Sequence, residues 1–247
     1  MAAKTRSKPD RRIATMGEKS LHAALKKWYA KRGDRLEQHV DGFLIDVRRG
    51  KLLIEIQTRN FYSIRRKLRT LVADHPVRLV HPLSADKWIV RVKKDGQTTI
   101  GRRKSPKHEG LFHLFEELVS FPDLIEERNF SLEVLFVQEE EIRCDDGKGS
   151  RWRQGWSIHD RKLVDVKESR VFNEVADFQA LLPPTLPDPF STRDLSQAVN
   201  TPRWLAQKMA FCLRRMGAVE QVGKERNALL YSLPPEKGPL AKRRAGR

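Results

Sequence analysis

The 247-residue chain has two cysteines, Cys144 and Cys212, which stand far apart in the sequence. Two isolated cysteines exclude a disulfide framework and a cysteine-rich zinc site. The chain also lacks any apolar run close to the ~20 residues that cross a bilayer. No apolar segment follows its charged N-terminus, as one would in a secretion signal. We therefore expect a cytoplasmic protein without a membrane-spanning segment.

Acidic residues are scarce relative to basic ones. The chain has 32 Asp and Glu against 49 Lys and Arg, which gives a formal net charge of +17. Such an excess predicts a polyanionic partner, and nucleic acid is favoured over an anionic membrane. Part of the charge lies in residues 4–12 and 236–247, which lack apolar periodicity. We predict disordered basic tails at 1–14 and 234–247.

The most informative segment, from Asp41 to Gln57, predicts a β-hairpin. Two runs rich in apolar and β-branched residues flank Arg48-Arg49-Gly50, which is typical of a three-residue loop ending in glycine. Such a loop would pair Val47 with Lys51, and this pairing sets the register of the whole hairpin.

In this register, Asp41, Glu55 and Gln57 project from the same face of the hairpin. Two carboxylates and an amide oxygen make a hard-oxygen site suited to Mg²⁺, or to Mn²⁺. A slip of the register would instead make Asp46 the ligand in place of Asp41.

Helices and further strands are predicted around the hairpin. A capping box at Thr15 and Glu18 starts a helix at 17–31, and a second helix follows Thr58 or Asn60 and ends before His75. Strands at 77–80 and 88–92 complete an α/β pattern with a mixed sheet. Beyond it we predict a loop at 96–110, a helix at 111–120, strands at 131–137 and 162–166, and a mobile connection at 144–156.

The order of a helical glutamate (Glu18), a hairpin aspartate (Asp41) and Glu55-Ile56-Gln57 resembles the PD-(D/E)XK nuclease superfamily, which includes archaeal Holliday junction resolvases. The resemblance covers about residues 17–92. It implies a restriction-endonuclease-like mixed sheet flanked by helices, within a nuclease-like domain at 15–181. It also implies metal-assisted phosphodiester hydrolysis.

The resemblance assigns roles to individual residues. Asp41 and Glu55 would hold the metal, Glu18 would act through a water, and Gln57 would position the nucleophile. Gln57 departs from the motif, which has lysine there, and Lys67 on the next helix is the candidate replacement. Basic groups of that helix, such as Arg65 and Arg66, would contact phosphates.

Non-catalytic interpretations stay open for several of these residues. Glu18 fits its capping box without a catalytic role. Gln57 and Thr58 could simply end a strand and start a turn. The missing motif lysine also leaves a non-catalytic DNA-binding protein with a degenerate nuclease fold, and an RNA-processing nuclease is a third possibility.

A proline-rich linker at 182–189 precedes a C-terminal unit at 190–233. Ser191 to Asp194 resembles a capping box, and a longer helix starts near Pro202 and stops at Gly217. Helix, turn, longer helix and hairpin are the order of a winged helix-turn-helix. Winged helices also serve as protein-interaction or dimerisation modules. The resemblance to a superfamily with many dimeric members also implies a homodimer. The candidate DNA contacts are Arg203, Gln207, Lys208, Arg214, Lys224 and Arg226.

One further segment mixes aromatic and basic character. Trp152 lies between Arg151 and Arg153, and Trp156 follows shortly after them. Such a mixture is seen on base-stacking surfaces, although it also fits a small hydrophobic patch. Taken together, the sequence predicts a Mg²⁺-dependent DNA endonuclease with a winged-helix DNA-binding domain.

Overall fold

The computed structural model describes residues 20–235, so Glu18, the N-terminal tail and nearly all of the C-terminal tail lie outside the described residues. The helices are α1 (Ser20–Tyr29), α2 (Arg65–Leu71), α3 (Phe115–Leu118), α4 (Val175–Gln179), α5 (Thr192–Ala198) and α6 (Arg203–Arg215). The strands are β1 (Arg35–Val40), β2 (Phe43–Arg49), β3 (Leu52–Ile56), β4 (Val77–Val92), β5 (Thr99–Lys104), β6 (Phe130–Cys144), β7 (Ser157–Phe172), β8 (Phe190–Ser191), β9 (Glu220–Glu225) and β10 (Ala228–Ser232).

A seven-stranded mixed sheet organises the chain. Its order is β1-β2-β3-β4-β6-β7, and β5 pairs with the distal half of β4. The β3–β4 and β4–β6 pairs are parallel, whereas the other pairs are antiparallel. A second sheet of three strands has the order β8-β10-β9. The predicted fold class, α/β with a mixed sheet flanked by helices, is confirmed at this level.

The order αβββαβ runs from α1 to β4, as the resemblance implies. The two strands predicted at 77–80 and 88–92 are one 16-residue strand, β4. β3 pairs with residues 77–80 of β4 and β5 pairs with residues 88–92, so the stretch between them has no strand on that side. Proline is tolerated at such open positions, which explains how Pro82 lies inside β4.

The predicted loop at 96–110 is wrong in part, because it contains β5. All six residues of β5 are exposed, so the strand shows none of the polar-apolar alternation that marks a half-buried strand. Charged side chains are common on strands at sheet edges, where they discourage pairing with another chain.

Helices cover both faces of the sheet. Leu21, Leu25 and Tyr29 form the buried stripe of α1 and pack in one cluster with Val47 and Ile54. Side chains alternate along a strand, so Leu53, the neighbour of Ile54, belongs to the cluster on the opposite face. Leu68 and Leu71 of α2 lie in that second cluster. None of the helices within residues 20–235 is long and apolar enough to span a membrane.

The C-terminal unit does not have a core of its own. Leu205, Met209 and Leu213 of α6 are buried in the same cluster as Leu79 of β4 and Phe115 of α3. The proline-rich segment 182–189 therefore connects two separate sheets that share one hydrophobic core. α3 and the 3-10 turn Pro122–Glu126 pack directly on α6, so the predicted unit at 190–233 shares its core with the large sheet.

Candidate active site

The β2–β3 hairpin closes with a two-residue loop, Gly50 and Lys51, rather than the predicted three-residue loop. Arg49 pairs with Leu52 and Val47 with Ile54. Gly50 has a φ of 59° and takes the first of the two loop positions, where a left-handed φ favours glycine. Continued outward, this register sets Asp46 opposite Glu55, so the predicted pairing of Val47 with Lys51 is wrong.

Asp46 interrupts the ladder between β2 and β3. The paired residues stop at Val47 and Ile54, and beyond them Asp46 Oδ2 accepts a 2.9 Å hydrogen bond from the backbone N–H of Ile56. The carboxylate thus satisfies a donor that the splayed strand leaves without a ladder partner. Asp46 Oδ2 also lies 3.2 Å from Nε2 of His22 on α1.

Glu55 is a buried carboxylate with a cation against it. Only 5% of the residue is exposed, and Lys67 Nζ lies 2.5 Å from Glu55 Oε1. Burial and the neighbouring charge of Asp46 raise the pKa of Glu55 to about 7, although Lys67 and a hydrogen bond from the Asp46 backbone oppose the rise. Lys67 Nζ also donates to the carbonyl oxygen of Leu44, which ties α2 to β2.

The two acids have opposite electrostatic properties. Burial alone would raise the pKa of Asp46, but the hydrogen bond and charge of His22, together with the Ile56 N–H, lower it below its usual value. Near neutral pH, Asp46 is therefore ionised while Glu55 stands close to its titration point. Such divergence between adjacent carboxylates is a mark of functional sites.

Asp41 does not belong to this pair. It lies in the turn between β1 and β2 with a φ of 49°, and its Oδ2 is 2.7 Å from Nε2 of His75. The length of β2 from Phe43 to Asp46, roughly 10 Å at ~3.3 Å per residue, separates that turn from the site. The interpretation of Asp41 as the partner of Glu55 is therefore wrong, and the alternative acid, Asp46, is the one that meets Glu55.

Gln57 braces the turn that follows β3. The side-chain Nε2 of Gln57 donates to the backbone carbonyl oxygens of Arg59 at 2.6 Å and Asn60 at 3.2 Å. The backbone carbonyl oxygen of Gln57 lies 2.7 Å from Nδ1 of His81. This is the alternative in which Gln57 ends a strand and starts a turn. The side-chain amide nitrogen is thus committed to the backbone of the turn.

From the sequence, His22 is predicted to be a polar residue beside the core stripe of its helix rather than a member of the site. It comes one helical turn after Glu18, so it shares the helix face assigned to that glutamate. This spacing is the signal that could have found it. Lys67, by contrast, was considered as the replacement for the motif lysine, and the structure brings it to Glu55.

The predicted DNA contacts are surface residues. Arg65 and Arg66 are exposed at the start of α2, and the Arg65 guanidinium lies 5.5 Å from the ring centroid of Tyr62. Lys224 lies within β9, and Arg226 forms the turn of the C-terminal hairpin with a φ of 51°. On α6, Arg203, Gln207 and Arg214 are exposed and Lys208 is half-buried.

The donor set can be tested against a divalent cation. Within residues 20–235, no three or more His, Cys, Asp or Glu side chains are grouped so as to hold a metal ion. Mg²⁺, however, is commonly held by one or two carboxylates, with water and substrate phosphate as its other ligands. Asp46 and Glu55 are such a pair, and a cation would relieve the repulsion that contributes to the raised pKa of Glu55. The two residues fit Mg²⁺ or Mn²⁺.

Comparison with known proteins locates the chain among its relatives. The family model described as domain of unknown function DUF8091 matches residues 19–173, a range that contains every strand of the seven-stranded sheet. A Treponema pallidum (strain Nichols) protein described as uncharacterized is 32% identical over 225 residues, which cover 90% of this chain and 88% of that protein. No solved structure matches the chain. The chain therefore belongs to the DUF8091 family.

Proposed function

We propose that this protein is a metal-dependent DNA endonuclease of the PD-(D/E)XK type. The observation that carries the proposal is the place of Asp46 opposite Glu55, where the β2–β3 ladder stops, with Lys67 against Glu55. Asp46 replaces Asp41 as the hairpin aspartate of the motif. The αβββαβ order around the pair is the one that the resemblance implies.

Three side chains would have catalytic roles at this site. Asp46 and Glu55 would hold Mg²⁺ or Mn²⁺, which supplies an acidified water ligand and positive charge against the phosphate. Lys67 provides the ammonium that the motif lysine would otherwise supply. Its contact with Glu55 Oε1 at 2.5 Å also helps to neutralise that carboxylate when a polyanionic strand approaches.

His22 acts on the geometry of the pair. Its Nε2 lies 3.2 Å from Asp46 Oδ2, the same oxygen that receives the Ile56 N–H. Two contacts on one oxygen hold the carboxylate in a fixed orientation. We assign His22 a positioning role on this basis.

The C-terminal unit is proposed to be a winged helix that holds duplex DNA. The two-helix element α5–α6 is followed by the β9–β10 hairpin, and β8 pairs with β10 to complete the small sheet. Ser191 Oγ caps α5 by accepting from Arg193 N and Asp194 N. Arg203, Gln207 and Arg214 lie on the exposed face of α6, where a major groove would receive them.

A second candidate function is non-catalytic DNA binding. It is favoured by Gln57, which stands where the motif has lysine and whose amide nitrogen is committed to the turn at 2.6 Å from the Arg59 carbonyl oxygen. In this alternative, the Lys67–Glu55 contact is a structural ion pair, and the basic surfaces alone carry the function. Cleavage assays separate the two candidates.

The test is nicking of supercoiled plasmid and of branched DNA with Mg²⁺ or Mn²⁺. Glu55→Gln and Asp46→Asn are expected to lower the rate at least a hundredfold, in line with the loss of a group that stabilises a transition state. Asp41→Asn is the matched control, since it removes a carboxylate from the β1–β2 turn, at the far end of β2 from the Asp46–Glu55 pair; it should retain wild-type activity. Equal DNA binding without cleavage by any of these proteins would support the non-catalytic alternative.

A further inference from the structure

The loop between β6 and β7 presents an unusually exposed tryptophan. Trp152 lies in the 3-10 turn Arg151–Arg153 and is 97% exposed; the next large apolar side chain within residues 20–235 is Tyr62, at 70%. We call residues 145–156 the Trp152 loop. An indole held almost wholly in water is a candidate binding group.

The Trp152 loop is ordered by its own hydrogen bonds. Gly149 N–H donates to Gly155 O at 2.8 Å and Trp156 N–H to Arg153 O at 2.9 Å, and Ser157 Oγ donates to Asp146 Oδ2 at 2.9 Å. A Cβ at Gly149 would lie 1.9 Å from Trp156 O, so this shape requires glycine there. A loop that is ordered in advance loses little entropy when it binds.

The charges around the indole are mainly positive. Arg151 and Arg153 flank Trp152 directly, and the Arg91 guanidinium lies 5.0 Å from the ring centroid of Trp156. Val92 pairs with both Thr99 and Cys144, so the 93–98 turn, with Lys93 and Lys94, lies at the same end of the sheet. Asp146, in contrast, is turned inward to Ser157 and to Lys148 N.

We infer that the Trp152 loop binds single-stranded DNA, with an unpaired base stacked on the Trp152 indole and the adjacent phosphates held by Arg151 and Arg153. Stacking on an exposed aromatic ring is open to any unpaired base, whereas paired bases in a duplex hide their faces. The basic surroundings are complementary to the phosphates on either side of such a base.

The same pattern of tryptophan and arginine occurs in proteins that dock on anionic membranes, but the loop offers too little apolar surface. Membrane docking uses several large apolar side chains together. Between residues 145 and 156, Trp152 and Trp156 are the large apolar residues, and Trp156 already covers Arg91. A single indole fits a nucleobase better than a bilayer.

This inference deepens the proposed function by naming its substrate class, DNA that contains an unpaired stretch, and rests on that function only for cleavage of the bound strand. Binding is therefore measured with EDTA present, independently of cleavage. The full chain is titrated into labelled 20-nucleotide oligo-dT, oligo-rU and a mixed-sequence DNA duplex, and fluorescence anisotropy is recorded.

Trp152→Ala should weaken oligo-dT binding about tenfold or more and leave duplex binding unchanged, and Trp152→Phe should retain most of the affinity. Trp28→Ala, which removes a half-exposed tryptophan from α1, is the matched control and should match the wild type. Gly149→Ala tests the loop shape with the indole retained, and should also weaken oligo-dT binding.

Unchanged oligo-dT binding by Trp152→Ala would overturn the inference, as would an equal loss on single strand and duplex. Tighter binding of oligo-rU than of oligo-dT would move the assignment to RNA. Trp152-dependent binding to phosphatidylglycerol vesicles, with oligo-dT binding unaffected, would assign the loop to membranes. If Trp152 behaves as expected and plasmid nicking is absent, the inference stands and the nuclease proposal fails.

Discussion

Lys67 Nζ lies 2.5 Å from Glu55 Oε1. The ammonium of α2 thus contacts the buried carboxylate near the end of β3. The contact joins two segments that the sequence separates by the turn after β3. It also opposes, without cancelling, the effect of burial on the Glu55 pKa.

Glu55 should make stability depend on pH. Its pKa rises from 4.5 to about 7 on folding, which corresponds to about 3 kcal/mol. Below pH 4.5 both states are protonated and this contribution is fully present; it is lost as pH rises toward 7, because the unfolded chain ionises first. Glu55→Gln cannot ionise, so its Tm relative to wild type should rise between pH 5 and pH 8. An equal Tm difference at both pH values would contradict the raised pKa.

Asp46→Asn should change stability with the opposite sign, and its pH dependence should lie below pH 3.8. The Asp46 pKa is lowered by His22 and the Ile56 N–H against the effect of burial, so its ionised form stabilises the fold above the unfolded pKa. That contribution disappears as pH falls through the folded pKa. At pH 7 we expect Asp46→Asn to melt below wild type, and thermal melts of both variants in one buffer series compare the two acids.

Divalent cations should stabilise the folded chain through the same pair. A ligand that binds only the native state adds about 2.7 kcal/mol when its concentration is a hundred times Kd. Saturating Mg²⁺ or Mn²⁺ is therefore expected to raise the wild-type Tm by several degrees, with EDTA reversing the shift. Asp41→Asn should keep the shift and Glu55→Gln should lose it. A shift of the same size in Glu55→Gln would locate the cation elsewhere.

The site shows where sequence reasoning succeeds and where it stops. Glu55 follows from its place in the motif, and Lys67 follows from the resemblance, as a replacement on the next helix for the motif lysine. Asp46 was reached only as an alternative, because Arg48-Arg49-Gly50 fits a three-residue loop as well as Gly50-Lys51 fits a two-residue one. The loop fixes every cross-strand partner, so the wrong loop put Phe43 opposite Glu55, three residues away from Asp46, which the observed register places there.

The fold, like the site, has elements that the sequence predicts and elements that it does not. Amphipathic α1 and α2 were predicted because their buried stripes follow the helical period. β5 was missed because all six of its residues are exposed, which leaves a pattern that resembles a loop. The shared core of α6 and α3 is equally invisible in sequence, since an apolar stripe does not say which surface covers it.

Tyr29 should be a stabilising residue through its hydroxyl. Tyr29 Oη donates to Glu133 Oε2 at 2.6 Å, and burial together with Glu133 raises the pKa of Tyr29 to about 12. Removing the donor leaves a buried carboxylate short of a partner, which costs about 1–3 kcal/mol. Tyr29→Phe should lower the free energy of unfolding by that amount. Tyr62→Phe, at a 70% exposed position, should change it by less than ~0.5 kcal/mol.

Exposed arginines on α6 should set the salt dependence of duplex binding. Arg203→Ala and Arg214→Ala should each weaken binding to any sequence and lower the salt slope by about 1, because each would release one phosphate contact. Lys51→Ala removes a charge at the closed end of the hairpin and is the control. Unchanged slopes in both arginine variants would favour α6 as a protein-contact surface, for which exposed Trp204 and Phe211 are available.

Truncation should reveal the shared core. A chain ending at residue 189 loses Leu205, Met209 and Leu213, which are buried with Leu79 and Phe115. We expect it to lose its cooperative thermal transition, whereas a chain ending at residue 235 should melt like the full chain. A cooperative melt of the shorter chain would mean that the large sheet folds without α6.

The 16-residue strand β4 sets the distance between the end of β3 and the Trp152 loop. Val80 pairs with Ile56 at the end of β3, and Val92 pairs with Cys144 at the base of the Trp152 loop. At ~3.3 Å per residue, the strand between them spans roughly 40 Å, which is about twelve base pairs of duplex at 3.4 Å each. A DNA strand bound at Trp152 and cut beside Glu55 would be cut at a fixed distance from its unpaired base. The length of β4 would set that distance.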